Sequence, residues 1–519
     1  MRSPAKIFLI MAIVLVIAST GTQRVDDPSI DGNTSGITPS QYLGGPYPLL
    51  DDSGFGTAHT EMIIPSQFFT GMVEYYNDTL LHKSVLMCRD ASISWNRFEF
   101  AWSVVQPTPT TWDWSGLDAY MNFSDNYGLR ILPVLAYGNE WASENGDYFA
   151  PIVNMTAWQA YIDAVVSRYK DRPSMSSRWW QIWNEANIEM FFHGDFVTEF
   201  LPAMVAAAQQ IRATDSTAKI LANALATDIA DDLQKMVDYI GKDQFNLLFD
   251  GVDIHPYSDT VAEIEQKIDA VKKILAPWYD GELWITEIGW PVNPAIQGVS
   301  AEYTKAQNIA KTLVLSRSMN VSHTIVHMWC DWGWMNGEPK VQNATYGENW
   351  FGIVDLWANP KPSYFTFKTV ANLIGYASHF GPATRTGWNI GQHIEIHVFK
   401  QANGAWIIPA WSPQDESIPA HLEIPLSNIT TIDAYGNTLA TLTGVTSIPF
   451  SITSDMKIFM INPVQVEEYT AQDFQVSLDF GTTAAIATII MPLLVIATVG
   501  LAIQGFRKKK EILIKNPRD

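Results

Sequence analysis

Residues 178–187 read Arg-Trp-Trp-Gln-Ile-Trp-Asn-Glu-Ala-Asn, and residues 281–290 read Gly-Glu-Leu-Trp-Ile-Thr-Glu-Ile-Gly-Trp. Each is a short apolar run of strand-forming residues closed by a glutamate, Glu185 in the first and Glu287 in the second. A carboxylate at the end of an inward-facing apolar run is costly to desolvate unless it is paired or functional. The two runs therefore mark strands whose ends carry chemistry, and their place in the chain decides the fold.

Working outward from them, residues 52–379 alternate strand-like runs with amphipathic stretches. The strand candidates are 54–60, 94–102, 129–138, 178–187, 218–226, 249–257, 281–291 and 322–332. Apolar spacing of three and four predicts helices over 196–214 and 261–275, and 361–376 reads as the last helix. Eight strands alternating with helices predict an α/β fold, a (β/α)8 TIM barrel, with a doubly wound open sheet as the structural alternative. Glu185, His255, Glu287 and Asp331 all fall at the C-terminal ends of strand candidates. A closed barrel gathers those ends into one ring, where its active sites form, so their placement favours closure.

Residues 380–465 change character. Alternating apolar runs separated by Gly, Asn, Pro and Ser predict a small antiparallel, β-sandwich-like domain, and 466–483 reads as an acidic polar spacer. Residues 1–23 read as a secretory signal peptide, with Arg2 and Lys6 before an apolar run and small residues after it. Residues 484–503 are 20 residues without a charge, the length of a transmembrane helix, and a basic tail at 504–519 follows with Arg507, Lys508, Lys509 and Lys510. Positive charge marks the cytoplasmic side, which predicts a single-pass protein of the cell membrane with the barrel outside. Seven glycosylation sequons, at Asn33, Asn77, Asn122, Asn154, Asn320, Asn343 and Asn428, agree with an extracellular glycoprotein.

A net charge of −21 argues against nucleic acid as a partner. The two cysteines, Cys88 and Cys330, form neither a disulfide framework nor a zinc site, and one disulfide or two free thiols remain open. Twenty Trp serve an aromatic core, and an indole face also stacks on a sugar ring. Trp102, Trp290, Trp329 and Trp332 fall at strand ends and are candidate sugar platforms, whereas Trp179 and Trp183 read as barrel filling. Asp331 reads as a strand-eight cleft residue that contacts substrate.

Strands four and seven face each other across a barrel, so two carboxylates at their tops can flank a sugar. One can protonate a departing oxygen, while the other attacks the anomeric carbon or activates water. A separation of roughly 5–5.5 Å gives retention and a wider gap gives inversion.

Trp183-Asn184-Glu185-Ala186-Asn187 resembles the strand-four motif of clan A glycoside hydrolases, and Trp284 to Trp290 resembles their strand-seven nucleophile motif. The segment 95–102 with Arg97 is similar to their strand two. Asp253-Ile-His255-Pro-Tyr257 is similar to their strand six, and 352–364 to their passage out of strand eight. The likeness is nearest to the β-xylosidase and α-L-iduronidase type, with the cellulase type next. It implies a TIM barrel with a trailing β domain that retains configuration while cleaving β-linked glycosides of an oligo- or polysaccharide, with no metal or other cofactor. It implies Glu185 as acid/base and Glu287 as nucleophile. It also implies Asn184 on the sugar 2-hydroxyl, Tyr257 bonded to the nucleophile, His255 lining the cleft, and Arg97 keeping Glu287 ionised. A transglycosylase on the same site and a silent carbohydrate-binding surface protein are the rival readings.

Overall fold

The computed structural model of the chain describes residues 47–58, 78–331, 334–335, 338–339, 345, 347–386, 394–413, 417–464 and 469–478. The signal peptide expected at 1–23, the span expected at 484–503, the basic tail and Trp332 lie outside the described residues. Among the described residues no helix is long and apolar enough to cross a membrane.

Eight parallel strands close into a barrel: β1 (Phe55–Ala58), β2 (Trp95–Ala101), β3 (Arg130–Ala136), β4 (Trp179–Ile182), β5 (Lys219–Leu221), β6 (Gly251–His255), β7 (Glu282–Ile288) and β8 (His323–Val326). Closure is made where Leu221 of β5 pairs with Gly251 of β6 and where Phe55 of β1 pairs with Thr324 of β8. An open sheet is therefore excluded. Strands such as β3 and β7 are buried along nearly their whole length because helices cover the outside, which explains their continuous apolar reading. The covering helices are α1 (Asp78–Asp90), α2 (Ser115–Tyr127), α3 (Met155–Tyr169), α4 (Leu201–Thr214), α5 (Ile229–Ile240), α6 (Val261–Leu275), α7 (Val299–Ser318) and α8 (Pro362–Ile374), one after each strand.

Local chemistry sets the helix ends. Thr260 and Glu263 form a reciprocal capping box at the start of α6, whose Ile264, Ile268, Val271 and Leu275 then point inward. The helix expected over 196–214 divides into a π turn at Phe196–Phe200 and α4, which begins with Pro202 in its first turn, where a missing N–H costs nothing.

The barrel floor is a dry layer of Ala58, Trp95, Leu132, Trp179, Leu221, Trp284 and Ile325. Three indoles in one layer need space. Gly251 supplies it, since a Cβ there would lie 2.5 Å from Leu221 Cδ2 and 3.3 Å from the Trp179 ring. This layer fills the interior of the barrel beneath the polar residues at the strand ends.

The second domain is one mainly antiparallel sheet of β9 (Ser378–Pro382), β10 (Thr384–Thr386), β11 (Glu395–Lys400), β12 (Trp406–Trp411), β13 (Ile418–Asp433), β14 (Thr438–Ile452), β15 (Lys457–Pro463) and β16 (Gln475–Leu478), in the order β9-β11-β12-β15-β13-β16-β10, with β14 on β13. Phe399, Ile407, Trp411, Ile432 and Ile458 join the core of the barrel, while Ile396, Val398, Trp406, Ile408 and Phe459 build a separate core on the other face. The Met456 N–H donates to Gln307 Oε1 on α7 at 3.0 Å, which fixes the seam. Within the segment read as a spacer, residues 469–478 depart from that reading. Phe474, Val476 and Leu478 are buried in the second core, and β16 pairs with β13. Cys88 and Cys330 are both buried and are not joined in a disulfide.

Candidate active site

The polar layer above the floor is organised by Arg97 on β2. Its guanidinium is 2% exposed and donates in three directions, to Glu287 Oε1 at 2.5 Å, to Asn184 Oδ1 at 2.7 Å and to Gln181 Oε1 at 2.7 Å. A planar fork with fixed donors suits this task, and a lysine could not repeat it. Asn184 accepts with its carbonyl oxygen, so a ligand would meet its amide NH2. Tyr257 donates its hydroxyl to Glu287 Oε2 at 2.9 Å. Both oxygens of Glu287 are thus held, and Arg97 supplies the charge that pairs its ionised form.

Glu185 faces Glu287 from the end of β4. Its Oε1 lies 2.6 Å from His255 Nδ1. His255 Nε2 meets Thr286 Oγ1 at 2.8 Å, and the Thr286 hydroxyl donates to Asp253 at 2.7 Å. Thr286 has one proton and gives it to Asp253, so Nε2–H of His255 donates to Thr286. Nδ1 is then left to share a proton with Glu185. Burial works to lower the affinity of His255 for that proton, but the charges of Glu287 and Glu185 outweigh it and hold the imidazole above its ordinary value. Burial pushes Asp253 up to about 6, against the pull of His255 and Arg97.

Glu185, His255 and Glu287 each have a ligating atom within 4.8 Å of the others, so the two carboxylates approach to that distance. The same three groups could hold a cation. For His255 to serve through Nδ1, such an ion would have to replace the 2.6 Å contact that this nitrogen makes with Glu185.

The expected residues therefore divide. Arg97, Asn184, Glu185, His255, Tyr257 and Glu287 converge on one cleft. Trp290 stands half-buried, with its Nε1 donating to Ser258 O at 3.0 Å. Three residues do not join. Asp331 is buried behind β8, where Lys361 holds it at 2.9 Å and also pairs with Glu302 at 2.8 Å. The chain turns back there, since the Asp331 N–H bonds to Val354 O at 2.9 Å. Trp329 is fully buried, with its ring edge-on to Tyr364. Trp102 opens a helical turn that folds it under the cleft among Trp141, Trp158 and Tyr161. None of the three presents a face to a sugar.

Other groups belong to the site and escaped the sequence reading. His327 has Nδ1 3.8 Å from Glu287 Oε2 and Nε2 3.1 Å from Glu348 Oε2. Glu99 accepts from the Tyr137 hydroxyl at 2.9 Å. Glu99 follows Trp95 and Arg97 at intervals of two, so strand alternation could have found it. Glu348 sits in a short turn at Gly347–Trp350, far from any strand signal.

Comparison with known proteins agrees with this architecture. A family 39 glycoside hydrolase from the gut symbiont Bacteroides cellulosilyticus WH2 superposes with a TM-score of 0.61 at 16% identity, over 79% of this chain and 81% of that one. A monomeric beta-xylosidase from Caulobacter crescentus CB15 superposes with a TM-score of 0.55 at 14% identity, over 81% of this chain and 98% of that one. At such identities the likeness concerns the fold. A probable mannan endo-1,4-beta-mannosidase A-1 from Aspergillus terreus is 41% identical over 66 residues, which is 13% of this chain and only 16% of that relative. The chain belongs to glycosyl hydrolases family 39, whose family model matches residues 111–381, more than half of its length.

Proposed function

We propose that the chain is a retaining glycoside hydrolase that cleaves β-linked sugars by double displacement, with Glu185 as acid/base and Glu287 as nucleophile. The observation that carries this reading is the approach of the two carboxylates to within 4.8 Å, which lies on the side of retention and leaves little room for an inverting water. In the first step Glu287 forms a bond to the anomeric carbon. The glycosidic C–O bond breaks, and the proton of Glu185 goes to the departing oxygen. In the second step water gives a proton to Glu185, its oxygen bonds to the anomeric carbon, and the ester to Glu287 breaks. Tyr257 and Arg97 orient the nucleophile, and the amide of Asn184 donates to the sugar 2-hydroxyl. The same residues would serve transfer to a sugar acceptor.

The membrane signals at the chain ends support action outside the cell, tethered to its surface. Aryl glycosides test the chemistry. Glu287→Ala should lose turnover, and azide should restore it as a glycosyl azide of inverted configuration. Full activity of Glu287→Ala would sink the assignment.

A further inference from the structure

The double displacement leaves one wall of the cleft unexplained. Glu348 is held there by His327, whose two ring nitrogens lie between it and the nucleophile at 3.1 and 3.8 Å. The turn that carries Glu348 is built firmly. Lys305 on α7 donates to the carbonyls of Trp350, Phe351 and Gly352 at 3.1, 2.8 and 2.8 Å. Phe351 in turn packs edge-on against His327 and Tyr257. The Glu348 side chain is 23% exposed, so it reaches the opening rather than the core. Glu99 brings a further carboxylate from β2, beside Tyr137.

The cleft thus gathers Glu99, Glu185, Glu287 and Glu348. Arg97 pairs with Glu287, and its other donors are committed to Asn184 and Gln181. A carboxylate accepts sugar hydroxyls, which are donors. It repels a sugar that carries its own carboxylate, because that ligand brings negative charge and acceptors only.

We propose that Glu348, fixed by His327 and the Lys305-bound turn, is a specificity residue that selects glycosides with an uncharged ring and excludes uronides. The inference rests on the hydrolase reading and narrows its substrate. Like charges held near each other in a partly desolvated cleft should separate the two classes by at least about 100-fold in kcat/KM.

The test uses the full-length chain and matched para-nitrophenyl pairs, β-glucoside against β-glucuronide and β-galactoside against β-galacturonide. The uronide of each pair should be the poorer by at least about 100-fold, and Glu348→Gln should narrow the gap at least about 10-fold by raising the uronide. Glu99→Gln, on β2, should shift the ratio in the same direction. A purely structural role for Glu348 would change both members of a pair alike. Uronide turnover equal to that of the neutral partner, or a ratio unmoved by Glu348→Gln, overturns the inference while the hydrolase reading stands. No turnover on any member overturns this inference, and no turnover on para-nitrophenyl β-xyloside and β-mannoside either overturns that reading with it.

Discussion

Replacing Arg97 with Met should destabilise the barrel strongly, and removing the charge of Glu287 as well should undo much of the loss. Arg97 is 2% exposed and the Glu287 side chain is 12% exposed, with 2.5 Å between them. Met fills the aliphatic part of the arginine but leaves a carboxylate in the barrel without its counter-charge. Breaking a buried pair from one side costs about 3–5 kcal/mol. Glu287→Gln keeps an oxygen acceptor for the guanidinium and should cost about 1–2 kcal/mol. Added together, the single changes predict a loss of about 4–7 kcal/mol. The double variant strands no charge, so its loss should be about 2–3 kcal/mol, a coupling energy near 3 kcal/mol. Urea unfolding followed by tryptophan fluorescence reads this directly, because Trp95, Trp179 and Trp284 line the floor beneath the pair. Strict additivity, within about 0.5 kcal/mol, would refute the account of Arg97 as the charge partner of Glu287.

Three further outcomes follow from the geometry. Asp253, pushed up to about 6 by burial, keeps its proton in the folded chain where the unfolded chain has lost it. Its contribution to stability is therefore complete below about pH 4 and is lost as pH rises through 6, at no more than about 1.4 kcal/mol per pH unit. Asp253→Asn should flatten that slope in unfolding free energies measured across the range, and an unchanged slope would contradict the assignment. Trp102→Ala should cost about 3–5 kcal/mol of stability because the ring is packed on all sides, whereas Trp290→Ala should raise KM with a smaller change in melting. The reverse pattern would restore Trp102 as a sugar platform. Gly289→Ala would put a Cβ 2.0 Å from His327 O, forcing β7 and β8 apart next to Glu287. A drop in kcat of about 100-fold is expected from a shift of about 1 Å, and kinetics equal to those of the parent chain would show that the strands can give.

The barrel was legible because its strands are buried on both faces and its helices on one, so the pattern changes period at each element. The bounds of α6 were readable to the residue, since Thr260 and Glu263 cap it locally. Asp253, His255 and Tyr257 were readable as a set because they stand together in the strand-six motif that the resemblance rests on, at the end of β6 and just after it. What failed depended on distant partners. Asp331 and Trp329 end an apolar run just as Glu185 and Glu287 do. Their fate is decided by Val354 and by Lys361, thirty residues on, which turn that segment away from the cleft. Glu348 had no local signal at all, since its place depends on Lys305 and His327.

The catalytic pairs themselves break the rule that made the barrel readable. Alternation sends neighbours to opposite faces, yet Asn184 and Glu185 both serve the cleft, as do Thr286 and Glu287. Each case has a local backbone cause. Just past β4, Trp183 takes φ 64° and Glu185 φ 46°, a left-handed conformation that costs a non-glycine residue about 1–3 kcal/mol. That turn swings Trp183 outward against Trp158 and Phe200, and brings Asn184 in beside Arg97. On β7, the pairing with β8 slips between Ile285 and Ile288, so Thr286 can reach His255 while Glu287 reaches Arg97. Two adjacent polar residues are needed at each position because one must handle the proton or the attack while its neighbour orients a partner. A regular strand cannot supply both. The irregularities at Trp183–Glu185 and Ile285–Ile288 are therefore where the fold gives up local stability for function, and they fall at the two strands whose sequences first marked the site.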